Sequence, residues 1–537
     1  MTTLIPKFDF KNGGTTPANA INRPINLKLS DSISVKDFGA VGDGTTDDST
    51  AIQAALNMAT ALGNCEVLFP AGTYYIASTI FVYSNTVLTG ENSEILYKDQ
   101  TSIIRLLNVS NVTIRDLRIN ANGSAWTAVG LYVLSIMGSN NVTIVNNEIY
   151  NGYGAGIVVS QTPGLPLGTN PNYMILIEGN HIHNIGDITG ADAWRYGSGV
   201  AITLGNNVII RNNFIHDIAR VAGIDLEGQD MNHILIEGNI IYNTLQVAAG
   251  INIYASGSDV TSNDVTIQNN TFYSLSVDSY SGALAAIYVN AGGYALKILN
   301  NTILSGNAGG IEIDKAQDVL VSGNTIRFTP NGGIQCANTV DAKIVNNTVE
   351  VPNPSTSIYA RIRLEMTTDG FGTGIVTGNT IVNAPYEAFN LNSYGAPFVF
   401  TGNTIINCRL AGTSGVGIAT YTGFYNSILG NNTILDTVGS YSTRFVCFYD
   451  FSSPANADAT INPDAWKLND TTLVKYAFPT TPLFFQSELA LVSAAPTAGY
   501  NYQGRILWNK SATVGQPKGW VCTVAGTPGT WVSMGNL

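Results

Sequence analysis

Residues 180–182 read Asn180-His181-Ile182, residues 301–303 read Asn301-Thr302-Ile303, and residues 403–405 read Asn403-Thr404-Ile405. The same unit, Asn followed two places later by Ile, Val or Phe, recurs in a regularly spaced series of eleven. Its asparagines are Asn147, Asn180, Asn213, Asn239, Asn270, Asn301, Asn324, Asn347, Asn379, Asn403 and Asn432, spaced 23 to 33 residues apart. Self-similarity over that span is the mark of a solenoid. An Asn amide both donates and accepts, so a copy at the same bend of each coil can bond to the next and satisfy groups that are costly to bury unpaired. Asn also favours turns in general, but a turn preference alone does not place an apolar residue two positions on each time. The expected fold is all-β, a stacked β-helix with an N-terminal capping helix and a small C-terminal β domain.

Working outward, short alternating segments recur from Val67 to about Leu435, among them Val112-Thr113-Ile114, Ile175-Leu176-Ile177, Val208-Ile209-Ile210 and Val265-Thr266-Ile267. Each coil is expected to add a second strand after the Asn bend, as in Gly223-Ile224-Asp225-Leu226-Glu227 and Gly310-Ile311-Glu312-Ile313-Asp314. Period-2 alternation turns Ile224, Leu226, Ile311 and Ile313 inward and the acids outward. Upstream, Asp47, Asp48 and Ser49 are helix-capping types, Ile52, Ala55, Leu56, Ala59 and Leu62 follow helical spacing, and Gly63 supplies a stop. A helix there would plug the open end of the solenoid, where apolar core and strand edges would otherwise meet water. The chain divides into an attachment segment (1–32), the β-helix (33–445), a proline-bearing connecting region (446–490) and a small β module (491–537) holding Trp508, Trp520 and Trp531, a trimer clamp or a glycan-binding lobe.

Only 12% of residues are charged and the net charge is -12, which argues against a nucleic-acid partner. The cysteines number five with no Cys-x-x-Cys pair, so neither a zinc site nor a disulfide framework is indicated. The opening residues lack the apolar run of a secretion signal and no stretch is long enough to span a bilayer, so no membrane insertion is expected.

The outward positions of the acid-bearing strand form a column: Val158 and Ser160, Ala201 and Thr203, Asp225 and Glu227, Asn252 and Tyr254, Tyr288 and Asn290, Glu312 and Asp314, then Gln335, Arg363, Glu365, Asn390, Asn392 and Tyr421. Acids, amides and aromatic rings in file suit a sugar-binding groove, although an ordinary polar surface is the plainer reading. Two carboxylate pairs stand out, Asp225/Glu227 and Glu312/Asp314. Residues i and i+2 of a strand share a face about 7 Å apart, within reach of glycosidase geometry. The first pair is favoured because an insertion carrying Trp194, Arg195 and Tyr196 precedes it and His216 and Arg220 lie just upstream; Glu227 is expected to be the general acid and Asp225 the nucleophile or base. Asn252, Tyr254, Tyr288, Asn290 and Gln335 are the further expected sugar contacts. His181, His183 and His216 have metal-compatible spacing but no third ligand type in view, so no metal and no cofactor is expected. A lyase acting on a uronate, with Arg220, Lys315, Arg361 or Arg363 facing the carboxylate, and a non-catalytic glycan-binding adhesin are the competing readings.

The segment Val35-Lys36-Asp37-Phe38-Gly39-Ala40 followed by Gly42-Asp43-Gly44-Thr45-Thr46-Asp47-Asp48 resembles the entry motif of the pectate-lyase-like right-handed parallel β-helix superfamily. The leader NAINRPINLKLSDSISVKDFGA and the ending Gly519-Trp520-Val521-Cys522 … Gly529-Thr530-Trp531 resemble bacteriophage tailspikes that depolymerise capsule or O-antigen. That resemblance implies a homotrimer on a virion tail, made in the host cytoplasm, contacting other phage tail proteins and cutting bacterial surface polysaccharide. Tailspikes share a fold rather than a catalytic motif, so it assigns no active-site residue.

Overall fold

The computed structural model describes residues 31–63, 65–99, 103–123, 132–165, 169–186, 197–228, 231–247, 249–254, 262–277, 285–290, 293–304, 309–327, 332–350, 361–368, 371–384, 387–394, 396–407, 428–435, 490–497, 501 and 503–537, with short strands at 7–8, 23–24, 418–420, 446–448, 460–461 and 467–468. The chain winds as a right-handed parallel β-helix. One coil shows the plan: Gly205–Arg211 lies in a first sheet, Asn213 makes the bend, Phe214–Ile218 lies in a second sheet and Arg220–Glu227 in a third. Each strand pairs in parallel with its counterpart one coil on, so the backbone bonds run along the axis and not within a coil.

The acid-bearing strand is therefore the third of its coil, not the second. The strand directly after the bend is as short as Thr302–Ile303, too brief to display an alternation of its own. In the short coil between Asn324 and Asn347, the turn from the third sheet to the first straightens into one twelve-residue strand, Ile334–Val345, that pairs in both sheets.

Inward positions stack like on like. Ile144, Ile177, Ile210, Ile236, Ile267 and Ile298 form one fully buried column in register. Each contributes about 1.5–3 kcal/mol by leaving water. The ladder asparagines are likewise buried. Asn213 shows the pattern: its backbone N–H and its Nδ2 both donate to Asn239 Oδ1 at 3.0 Å, and Nδ2 also donates to the Ile177 carbonyl at 2.9 Å. The run of Nδ2–Oδ1 bonds is unbroken from Asn147 to Asn432. The residue before every ladder Asn has a left-handed backbone and is itself Asn or Gly, as at Asn146, Gly179, Asn212 and Gly238. These are the residue types that tolerate that conformation, so the repeat is really Asn/Gly-Asn-x-Ile.

Helix α1, Ser49–Leu62, covers the first coils through buried Ile52, Ala55, Leu56 and Ala59, and Gly63 closes it in a left-handed conformation (φ 84°). Leu62 differs from its expected place and is exposed. Asp48 stands at the N-cap but does not cap: its buried carboxylate accepts from the backbone N–H groups of Val41 (2.6 Å) and Gly42 (3.1 Å), fastening the glycine-rich turn. Toward the C-terminus, Ala490–Val492, Ile506–Asn509, Gly519–Val524 and Thr530–Ser533 make a small, mainly antiparallel sheet. Among the described residues no helix is long and apolar enough to cross a membrane.

Candidate active site

On the third sheet the register aligns Asp225, Asn252, Tyr288, Glu312, Gln335, Arg363 and Asn390 in one file. Glu227, Tyr254, Asn290 and Asp314 align in the file beside it. The two carboxylate pairs are three coils apart, about 14 Å at the usual strand spacing, too far to form one pair between them.

Asp225 is 5% exposed, and Asn252 Nδ2 donates to its Oδ1 at 2.8 Å. Burial pushes its carboxyl up to about 7; the neighbouring Glu227 charge adds to the rise while the Asn252 bond opposes it. Glu227, in contrast, is exposed. Burial thus falls on Asp225, the member of the pair expected to be the nucleophile or base, and not on Glu227, the expected general acid.

At the second pair, burial raises the Glu312 carboxyl, Asp314 reinforces the shift and Arg363 counters it. Asp314 accepts from Asn338 Nδ2 at 2.7 Å and pairs with Lys315 Nζ at 3.5 Å. Asn290 Nδ2 donates to the Tyr288 hydroxyl at 3.1 Å, and burial raises the Tyr288 phenol. Arg363 pairs with Glu365, whose other oxygen accepts from the Tyr394 hydroxyl at 3.1 Å. Arg361, considered for contact with a uronate, is wholly buried and unavailable to a saccharide.

Of the other expected contacts, Asn252, Tyr254, Tyr288, Asn290 and Gln335 lie in the two files. Trp194, Arg195, Tyr196 and Tyr421 fall outside the described residues. Arg220 opens the strand Arg220–Glu227, opposite Gly197. His216 does not join Asp225: it lies on the second sheet, in register with His183 and Tyr242.

There it belongs to a second cluster. Rings of Tyr150, His183, His216, Tyr242 and Tyr273 stack coil upon coil at centroid distances of 5.1, 5.1, 4.6 and 4.7 Å. His181 Nε2 and His216 Nε2 are 2.7 Å apart, His216 Nδ1 lies 2.7 Å from Asp217 Oδ2, and His183 Nε2 lies 3.2 Å from Glu148 Oε1. Burial, followed by the neighbouring imidazoles, lowers His181; burial also lowers His183, against the pull of Glu148. The expectation that the histidines have no third ligand is not met, because Glu148 stands among them. The signal was available. Counted from each ladder Asn, Glu148, His181 and Phe214 share position +1, and Tyr150, His183, His216, Tyr242 and Tyr273 share position +3.

Comparison with known proteins agrees with the fold. Residues 32–252 match the family described as rhamnogalacturonase A/epimerase, pectate lyase-like. Residues 167–353 also match the family described as periplasmic copper-binding protein (NosD). The mannuronan C5-epimerase AlgE5 of Azotobacter vinelandii is 24% identical over 383 residues, 66% of this chain and 34% of that protein. A probable glucan endo-1,3-beta-glucosidase of Arthroderma benhamiae is 39% identical over 112 residues, 19% of this chain and 12% of that one. The chain thus spans about a third or less of the curated relatives it matches. Among solved structures, the pre-mature bacteriophage phi29 gene product 12 superposes with a TM-score of 0.50 at 17% identity, covering 83% of this chain and 58% of that one, which shows the shared fold alone.

Proposed function

We propose that the chain is an endo-acting polysaccharide depolymerase that hydrolyses glycosidic bonds on the third sheet, with Asp225 as general acid and Glu227 as the base that activates water. The observation that carries this reading is the protonated-range carboxyl of Asp225 beside an exposed carboxylate, set in a file of amides and tyrosines. A general acid works best with a pKa near the working pH, and burial supplies it here. Side chains two apart on a strand, about 7 Å, fit the separation that leaves room for a water and inverts the anomeric centre. Tyr254, Tyr288, Asn252, Asn290 and Gln335 would hold the sugars on either side.

A second reading, β-elimination or epimerisation of a uronate, is favoured by the mannuronan C5-epimerase similarity over 66% of the chain. There Asp225 would exchange a proton at the carbon beside the carboxylate, and Arg363 is the cation in file. Mass spectrometry and proton NMR of candidate capsules after treatment separate the readings: hydrolysis adds water, elimination leaves an unsaturated uronate, and epimerisation releases no fragment but changes the uronate configuration. Asp225→Asn and Glu227→Gln are each expected to lose about 100-fold or more in rate while retaining binding. Full activity in both moves the reaction to Glu312 and Asp314, and retained glycan binding without any product makes the chain an adhesin. The tailspike-like leader and ending extend the proposal to a homotrimer on a virion tail, checked by light scattering of the purified chain.

A further inference from the structure

The geometry points to a metal site that is separate from the carboxylate files: a zinc-type divalent cation held on the second sheet by His181, His183, His216 and Glu148. Glu148, His181 and His183 present ligand atoms within 4.8 Å of one another; His216 adjoins that group, its Nε2 2.7 Å from His181 Nε2 and its ring centroid 5.1 Å from that of His183. The four side chains come from three successive coils, so the parallel register itself gathers them.

The hydrogen bonds define the donor set. Asp217 Oδ2 accepts from His216 Nδ1 at 2.7 Å, which leaves the lone pair of His216 Nε2 directed at His181 Nε2, the atom that then carries the hydrogen between them. A cation takes the place of that hydrogen, which moves to Nδ1 of His181, and the two nitrogens widen to about 3.3 Å, the spacing of neighbouring ligands at ~2.0 Å bond lengths in a tetrahedron. His183 Nε2 and Glu148 Oε1 already stand 3.2 Å apart. Arg118 holds the other Glu148 oxygen at 2.6 Å, fixing the carboxylate with Oε1 toward the histidines. Asp217 is in turn held by Asn243 Nδ2. A carboxylate behind a ligating imidazole is the arrangement that sets its tautomer and raises its basicity. Three imidazoles and one carboxylate favour zinc and its neighbours over calcium or magnesium, which prefer all-oxygen sites. Side-chain exposures of 13% for His183 and 27% for Glu148 leave the site open to solvent on one side.

The test is titration of chelator-treated full-length protein with Co²⁺, read as the visible bands of a tetrahedral ion, and with Zn²⁺, read by calorimetry. One ion per chain is expected. His181→Gln and His216→Gln should each weaken binding by about tenfold or more, and Asp217→Asn, which leaves every ligand in place, by about 10–100-fold. His233→Gln, at an exposed histidine on the first sheet, should bind as wild type. Should the histidine variants fail to fold by circular dichroism, Asp217→Asn decides. Absence of heat and bands with the wild-type chain overturns the site, as does undiminished binding in Asp217→Asn or in the folded His181→Gln/His216→Gln double variant.

Discussion

Asp225→Asn is expected to make the protein more stable at alkaline pH while removing its activity. A carboxyl that titrates at about 7 in the fold against an ordinary 3.8 corresponds to about 4 kcal/mol of unfavourable ionisation, at ~1.4 kcal/mol for each pH unit. The sign follows from proton counting. Between those two pH values the folded chain holds a proton that the unfolded chain has released, so wild-type stability falls as pH rises through the window and stays lowered above it. The asparagine variant has nothing to titrate there. It keeps an oxygen for the 2.8 Å bond from Asn252 Nδ2, and any constant cost of its new N–H groups cancels when two pH values are compared. Denaturant unfolding at about pH 4 and about pH 8 should therefore show the variant gaining roughly 4 kcal/mol on wild type between the two. A difference that does not change with pH would refute the claim that Asp225 is buried as a carboxylic acid, and with it the assignment of the acid.

Three further outcomes follow from the same structure. Activity should fall as pH rises through about 7, because the acid must be protonated to work, and a pH–rate profile flat across that region speaks against Asp225 in that role. Asn270→Ala removes the oxygen that accepts from Asn239 N (2.9 Å) and Asn239 Nδ2 (3.0 Å). At about 1–3 kcal/mol for each orphaned buried donor, the unfolding free energy should drop by roughly 2–6 kcal/mol. Gly223→Ala sets a methyl 2.6 Å from Ile241 Cγ2 and 2.8 Å from the Gly250 carbonyl, with an expected loss of about 1–3 kcal/mol in the same assay.

The ladder was legible because its physics is local and repeated: a buried amide needs the same neighbour in every coil, so Asn recurs and the fold can be read from it. The outward file with Asp225, Tyr288 and Glu312 was legible for a related reason, since alternation on a strand fixes which face a side chain takes. Which acid is buried was not legible. Asp225 and Glu227 share a face, and only the packing of Asn252 and its neighbours distinguishes them. The grouping of His181, His183 and His216 was legible from their spacing, whereas Glu148 beside them and the stacking of His216 on His183 become visible once Phe214–Ile218 is treated as a strand of its own and not as part of the bend.

The asparagine amides all point one way. Each Nδ2 looks toward the C-terminal end and each Oδ1 toward the N-terminal end, and the series opens where the Leu117 backbone N–H donates to Asn147 Oδ1 at 3.1 Å. The rod therefore has a head and a tail set by its interior, apart from any sequence of its loops. A deletion that removes one entire turn rejoins donor to acceptor and leaves the series intact, whereas removal of half a turn breaks it. Lineages of such chains should consequently change length in whole windings, while the stretches between windings are free to drift.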